Sequence, residues 1–284
     1  DDERTSARVL TMTFEEGVRI VDAHGLREAG LSPSRVSTLL SDAFLTMIFK
    51  GHFVHCDPHP GNILVRPAER IRKGPLAWFG SRFGGAPSPR LVILDHGLYR
   101  EFDRSFVLSY ARLWHAIVTA DADAIRKEAD ELGVGPYYTL LAAMLTARPW
   151  SDILRAKDDP EQLRERGTAA DKAQIRTYAA QYAKAIAVVL NQLPRPMLLL
   201  LKTNDCLRHA DRQLGSGINS FLLTLRYCVS AIRADEADRW RSQSRSSYGL
   251  GVVTLALHGI LRDIWLALEG WLLTLISACE NVLM

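Results

Sequence analysis

Val36, Leu39, Leu40, Ala43, Phe44, Met47 and Ile48 recur at intervals of three and four residues, the period of a helix with one apolar face. Ser32-Pro33 supplies its start: Ser can cap, and Pro at the first helical position gives up an amide that has no partner there. Gly51 is expected to close the helix in a left-handed conformation. The stripe reads as core packing that delivers the chain rigidly into the loop that follows. The period then shortens. Ile63-Leu64-Val65 and Leu91-Val92-Ile93-Leu94 are short apolar runs bounded by Pro, Gly and Asp, the pattern of buried strands. Val9 to Phe14 reads as a further short strand, with Glu15-Glu16-Gly17 as the loop leaving it. From Asp103 the helical period returns, with Phe106, Tyr110, Leu113, Trp114 and Ile117 on one face. Asp121 is placed to cap the next helix, and Gly133-Val134-Gly135-Pro136 ends it. A long segment from Glu161 to Leu190 breaks before Pro194, and the next helix carries Met197 to Leu201. Together these elements predict an α+β chain, mainly helical, with a small β-ribbon between two helical regions.

Three stretches depart from this pattern. Ala68 to Arg90 is rich in Gly, Pro and Arg and separates the two apolar runs, a composition with little apolar area to bury. Its basic residues and Trp78, Phe79 and Phe83 suit contact with a membrane or an acidic partner less well than a tolerated mobile surface excursion. Arg233 to Tyr248 is charged and Ser-rich and reads as a linker. Gly249 to Met284 is strongly apolar and holds Trp265 and Trp271. A bilayer span needs about 20 uninterrupted apolar residues, and Glu269 interrupts this one. A helix covering the preceding domain, an interfacial helix and a marginal membrane anchor are its readings, in that order.

Composition excludes several classes. The 284 residues are 48% hydrophobic and 24% charged, which is neither a disordered chain nor a polytopic membrane protein. The net charge of +3 is too small to indicate nucleic acid. Cys56, Cys206, Cys228 and Cys279 lack paired metal spacing and fit reduced thiols better than a disulfide framework. No Arg-rich presequence or apolar signal follows Asp1; the chain reads as opening in mid-domain, so that a targeting segment would lie upstream.

The chemistry concentrates in His55-Cys56-Asp57-Pro58-His59-Pro60-Gly61-Asn62, answered by Asp95-His96-Gly97 after the second apolar run. Asp57 and Asn62 have the spacing of a phosphotransferase catalytic loop, in which the Asp takes the acceptor proton and the Asn holds Mg²⁺. Asp95 with Gly97 matches a second metal element, where a carboxylate bridges Mg²⁺ to ATP phosphates and the Gly permits a tight turn. Asp-Pro and Pro-Gly-Asn are also ordinary turn chemistry. The coincidence of a preceding amphipathic helix, a following strand and a second Asp-x-Gly favours the catalytic reading. A zinc reading of His52, His55, Cys56 and His59 is disfavoured, because ligands this crowded, with prolines between them, make a poor tetrahedral site.

His-Cys-Asp-Pro-His-Pro-Gly-Asn, Leu-Asp-His-Gly-Leu-Tyr, Met144-Leu145-Thr146-Ala147-Arg148 and Leu200-Leu201-Lys202-Thr203-Asn204-Asp205 together resemble the UbiB/aarF-type (ADCK) atypical kinases. The last two of these segments resemble the mitochondrial aarF-domain kinase branch, and Val9 to Gly17 resembles the family's hinge. Aminoglycoside- and choline-type phosphotransferases carry a similar loop, and the Lys-Thr-Asn-Asp and Asp-His-Gly-Leu-Tyr segments argue against them. The resemblance implies the large, C-terminal lobe of a protein-kinase-like fold over 1–232. Within it, 8–17 would be the hinge strand, 52–100 the catalytic and metal loops, 68–90 an insertion and 103–232 helical. A linker over 233–248 and an apolar helical segment over 249–284 would follow. It implies ATP and Mg²⁺ as cofactors, Asp57 as catalytic residue with His55 shaping its loop, Asn62 and Asp95 holding Mg²⁺, and Gly97 shaping the nucleotide site. It further implies a role in mitochondrial or plastid lipid and quinone homeostasis, with nucleotide and a membrane lipid or quinone-pathway partner but no nucleic acid. No Gly- or Ala-rich nucleotide loop, strand lysine with helix glutamate, or Lys-x-Gly-Gln segment precedes Val9. The expectation is therefore that this stretch alone is not a competent enzyme, and a non-catalytic pseudokinase scaffold is the alternative. Lys202 and Asp205, an i, i+3 pair, are expected to decorate a helix in a structural or docking role.

Overall fold

The computed structural model describes residues 1–68, 87–155, 183–216 and 220–246. Within them the chain is mainly helical with a small amount of sheet, and it forms two compact units.

The first unit holds the described residues up to Phe102 together with Pro194 to Ser216. Its first helices are α1 (Ala23–Glu28) and α2 (Pro33–Thr46), the latter running into a π-turn, Met47–Gly51. Pro33 opens α2, while the Ser32 side chain makes no capping bond. The residue in the left-handed region is His52 (φ 54°), one position beyond the expected Gly51. The wider π-turn absorbs one more residue before the chain reverses, and so moves the closing position. Val36, Leu40, Phe44 and Ile48 are buried as their spacing requires.

Two small sheets follow. Strands β1 (Val18–Arg19), β3 (Ile63–Pro67) and β4 (Pro89–Ile93) form an antiparallel sheet in the order β1-β3-β4. Strands β2 (Phe53–His55) and β5 (Tyr99–Glu101) form an antiparallel pair. The β3–β4 ladder runs from Ile63 opposite Ile93 to Pro67 opposite Pro89, and the Ala68 amide donates to the Ser88 carbonyl at 2.8 Å. The outer ends of the expected 68–90 excursion are thus part of a hairpin; residues 69–86 lie outside the described residues.

The strand expected over Val9 to Phe14 is not formed. Val9 pairs with Ser6 in an isolated bridge, and Leu10 and Phe14 are 70% and 88% exposed. A strand is stable only as part of a ladder, and no described residue pairs with 10–14 to make one. The regular pairing starts at Val18, and Glu15 makes a 2.6 Å ion pair with Arg66.

Helix α8 (Arg195–Leu214) completes this unit. Its Ala210 and Leu214 join Ile20, Leu26, Val36, Leu40, Phe44, Ile63 and Val65 in one apolar cluster. The Ser37 hydroxyl donates to Asp211 at 2.7 Å, which ties α8 to α2. One core therefore holds α2, the β3–β4 hairpin and α8 together.

The second unit comprises the described residues from Asp103 to Leu193 and from Ser220 onward. It contains α3 (Arg104–Val118), α4 (Ala122–Glu131), α5 (Tyr138–Thr146), α6 (Trp150–Arg155), α7 (Ala183–Gln192) and α9 (Ser220–Ser246). Tyr110, Leu113, Trp114 and Ile117 are buried on α3, and Asp121 accepts from the Ala124 amide at 3.0 Å as the expected cap. Gly133, at φ 76°, reverses the chain after α4, a backbone angle that side chains rarely adopt. Residues 156–182, and with them most of the segment expected from Glu161, lie outside the described residues; its last part is helical and stops at Gln192, ahead of Pro194.

The linker expected from Arg233 to Tyr248 is instead helical as far as Ser246. Its charges are spaced to pair along and across helices. Arg239 meets Asp235 at 2.8 Å, Arg241 meets Asp238 at 3.0 Å, and Arg104 of α3 reaches Asp238 at 2.5 Å. Polarity here marks a solvated helical face rather than a chain break. The apolar segment 249–284 and Cys279 lie outside the described residues. Among the described residues, no helix is long and apolar enough to cross a membrane.

Candidate active site

Asp57 and Asn62 sit on the connection between β2 and β3, which prolines and backbone hydrogen bonds hold in shape. Pro58 and Pro60 are buried. The His59 amide donates to the Asp57 carbonyl at 2.7 Å, the Asn62 amide donates to the His59 carbonyl at 2.8 Å, and Pro60–Asn62 form a single 3₁₀ turn. His59 Nδ1 accepts from the Gly61 amide at 3.1 Å. Asp57 is therefore presented by a loop that its prolines and the His59, Gly61 and Asn62 amides hold in shape.

His55 is fully buried. The β2–β5 register places it opposite Tyr99, and its ring stacks on Tyr99 at 5.0 Å. Its Nδ1 lies 3.2 Å from the Leu98 carbonyl, so the Nδ1–H tautomer donates there. Its role is to hold the loop root against the β5 approach, and the Cys56 amide donating to the same carbonyl at 2.9 Å reinforces it. Burial raises the Cys56 thiol above its ordinary range, with Arg100 and Lys202 acting in the opposite direction.

The hairpin register brings the second element to the first. Ile63 faces Ile93 and the Leu94 amide donates to the Asn62 carbonyl at 2.9 Å, so Asp95 emerges beside Asn62. The Asn62 amide nitrogen lies 3.4 Å from Asp95 Oδ2, and the Gly97 amide donates to Asp95 Oδ1 at 2.8 Å. A Cβ on Gly97 would stand 3.0 Å from that same oxygen, a tight contact that glycine avoids. His96 is held by both ring nitrogens: Nε2 donates to the Ile93 carbonyl at 3.0 Å, which leaves Nδ1 to accept from the Tyr99 hydroxyl at 2.9 Å. Burial pushes the Tyr99 phenol up, which keeps it a donor.

With its NH₂ turned to Asp95, Asn62 has its amide oxygen uncommitted by that bond. An Asp carboxylate and an Asn carbonyl are the donor set that Mg²⁺ takes when it completes its shell with water and phosphate oxygens. The residues thus fit the group. Among the described residues, no group of three or more His, Cys, Asp or Glu side chains is placed to hold a metal ion.

A further residue enters from α8. Lys202 Nζ lies 2.9 Å from Asp57 Oδ1, with the two side chains 50% and 36% exposed. The hydrogen bond to Asp57 raises the Lys202 ammonium above its ordinary range. The expected pairing of Lys202 with Asp205 is not formed; Asp205 lies 3.7 Å from Arg208. Local spacing could not reveal this contact, because it depends on how α8 packs on the core. Beside the loop, a cleft of about 370 Å³ is lined by Arg19, His59, Gly61, Asp205, Cys206 and His209 among others. Burial and the neighbouring Asp205 raise the Cys206 thiol, so this cleft holds a protonated sulfur.

Residues 1–129 match the ABC1 atypical kinase-like domain. The chain is 42% identical over 222 residues to a putative ABC1 protein of Arabidopsis thaliana, which covers 77% of this chain and 39% of that protein. It is 35% identical over 287 residues to an AarF domain-containing protein kinase 1 of Gallus gallus, covering 98% of this chain and 51% of the relative. For the corresponding protein of Mus musculus the identity is 34% over 285 residues, covering 95% and 50%. The chain spans about half the length of these relatives, or less.

Proposed function

Since the chain belongs to the UbiB/aarF-type (ABC1) family of atypical kinase-like proteins, we propose that it carries the catalytic and metal loops of a Mg²⁺-dependent ATPase or phosphotransferase. The observation that carries this reading is the convergence of Asp95 on Asn62 at the open end of the β3–β4 hairpin, with Asn62 five residues after Asp57 on the same loop. When bound, Mg·ATP supplies the phosphoryl group. Asn62 and Asp95 would hold the cation through oxygen, and Asp57 would orient or deprotonate the nucleophile. His55 and Gly97 keep the two loops in register. The backbone of the hinge, residues 8–17, would meet the adenine ring. Phosphoryl transfer depends on positioning and charge neutralisation more than on covalent chemistry, so few side chains are needed.

The family supports the atypical kinase-like assignment; the acceptor is a further step. We place the protein in mitochondrial or plastid lipid and quinone homeostasis, with a membrane lipid or quinone-pathway molecule as partner. The test is phosphate release from Mg·ATP by the intact protein, with and without Mg²⁺ and with and without vesicles of phosphatidylcholine and anionic lipid. Mg²⁺-dependent turnover is expected. Its absence, together with no Mg·ATP binding by calorimetry, would replace this reading with a non-catalytic scaffold.

A further inference from the structure

Lys202 is the ammonium that reaches Asp57. The loop's own candidate cation, His59, has its Nδ1 committed to the Gly61 amide. Lys202 stands on a helix that cannot easily shift: Met197, Leu200, Thr203, Ala210 and Leu214 are all buried along α8. The lysine itself is half exposed and on a flexible stem, so its head is free to follow the carboxylate while its Cα is fixed. Nothing in the packing requires an ammonium at this position. The apolar contacts of α8 are made by other residues, and the ion pair is too exposed to add much to stability.

What the contact does to Asp57 is specific. A carboxylate on a short side chain rotates about its last bond, and only one oxygen can face an arriving hydroxyl. By donating to Oδ1 at 2.9 Å, Lys202 sets that rotation and leaves Oδ2 for the acceptor.

We infer that Lys202 is a positioning residue for phosphoryl transfer, acting through Asp57 to hold its carboxylate in the orientation that accepts the nucleophile's proton. The inference rests on the phosphotransferase reading above. In the step, the acceptor O–H gives its proton to Asp57 Oδ2 as its oxygen bonds to the γ-phosphorus of ATP. The bond from that phosphorus to the β,γ-bridging oxygen breaks, its electron pair leaves with ADP, and Asp57 later returns its proton to solvent. Lys202 keeps its own protons throughout.

The experiment compares the intact wild-type protein with Lys202→Met, Lys202→Arg, Asp57→Asn and the double variant Lys202→Met/Asp57→Asn. Lys202→Met should lower kcat by about 10- to 100-fold while KM for ATP and the calorimetric Mg·ATP affinity stay within about twofold. The arginine variant should recover much of the loss. The double variant should be no slower than Asp57→Asn alone, since a residue acting through Asp57 has nothing left to position. A readout independent of turnover is acetylation of Lys202 by acetic anhydride, followed by peptide mass spectrometry. It should be slower in wild type than in Asp57→Asn, because a carboxylate-bound ammonium yields less free amine. Equal acetylation rates, wild-type kcat in Lys202→Met, a loss confined to ATP affinity, or multiplying effects in the double variant would each overturn the inference. An unchanged unfolding midpoint in Lys202→Met shows that the loss is not one of folding. Absence of wild-type turnover with normal acetylation protection would sink the phosphotransferase reading, and the positioning role with it, while leaving the ion pair in place.

Discussion

Asp57 and Asp95 are both carboxylates on loops, and their surroundings give them different work. Asp95 is surrounded by donors, the Gly97 amide on one oxygen and the Asn62 side chain near the other. These donors fix its position, which suits the role proposed for it in holding a cation. Asp57 is partly exposed and pairs with the Lys202 ammonium. Asp95→Asn is accordingly expected to weaken calorimetric Mg·ATP affinity as well as turnover, because the cation loses its charged ligand. Asp57→Asn is nearly isosteric and should leave nucleotide affinity largely intact while phosphate release falls by about 10²- to 10⁴-fold, the range for a lost general base. Wild-type binding and turnover in both variants would remove the kinase-type assignment of the loop pair. Spacing, the flanking helix and strands, and the second Asp-x-Gly singled out these aspartates as candidates. The Lys202 contact was not legible in the same way, because an ion pair between residues so far apart along the chain has no local signature.

At the scale of elements, the β3–β4 hairpin and the end of α9 each carry a prediction. The ladder between β3 and β4 persists to the Ala68–Ser88 hydrogen bond, so the hairpin has its own closure before residue 69. Replacing residues 69–86 by a short Asn-Gly turn should therefore leave the unfolding midpoint nearly unchanged. A loss of several degrees would show that the replaced stretch packs on the hairpin's unit. In the second unit, Arg104 joins α3 to the polar end of α9 through Asp235 and Asp238. Its hydrogen bond holds the Asp238 carboxyl below its ordinary range. A lowered folded value means that the unfolded chain takes up the proton first. The stabilisation is fully present above about pH 4, the unfolded carboxylate value, and is lost as pH falls through the lower folded one. Arg104→Ala should thus cause a small drop in thermal midpoint at neutral pH and a smaller one near pH 3, read by circular dichroism. An equal drop at both values would mean that Arg104 acts through its aliphatic stem instead. This end of α9 shows why composition misled: a Ser-rich charged stretch reads as a linker unless the i, i+3 and i, i+4 spacing of its charges is weighed against it.

For the whole molecule, the open question is the apolar segment 249–284, whose two tryptophans and many leucines need apolar surface to cover them. We expect the intact protein to float with vesicles of phosphatidylcholine and anionic lipid, and a form ending at Ser246 to float less or to lose thermal stability. Unchanged stability in the shortened form, with no flotation of the intact one, would reject both a bilayer and the protein's own surface as its cover. The family, the mainly helical α+β class, the apolar stripe of α2 and the candidacy of Asp57, Asn62 and Asp95 could all be read from the order of residues. These are carried by contiguous motifs and by a period that one or two turns suffice to express. Tertiary structure decided what contiguous residues cannot encode. It denied a strand to Val9 through Phe14, where no described ladder partner stands. It moved the left-handed residue from Gly51 to His52 through a π-turn. Above all it brought Lys202 to Asp57, because the placement of α8 follows from burying Ala210 and Leu214 against α2 and β3, a packing solution that only the folded chain can reach.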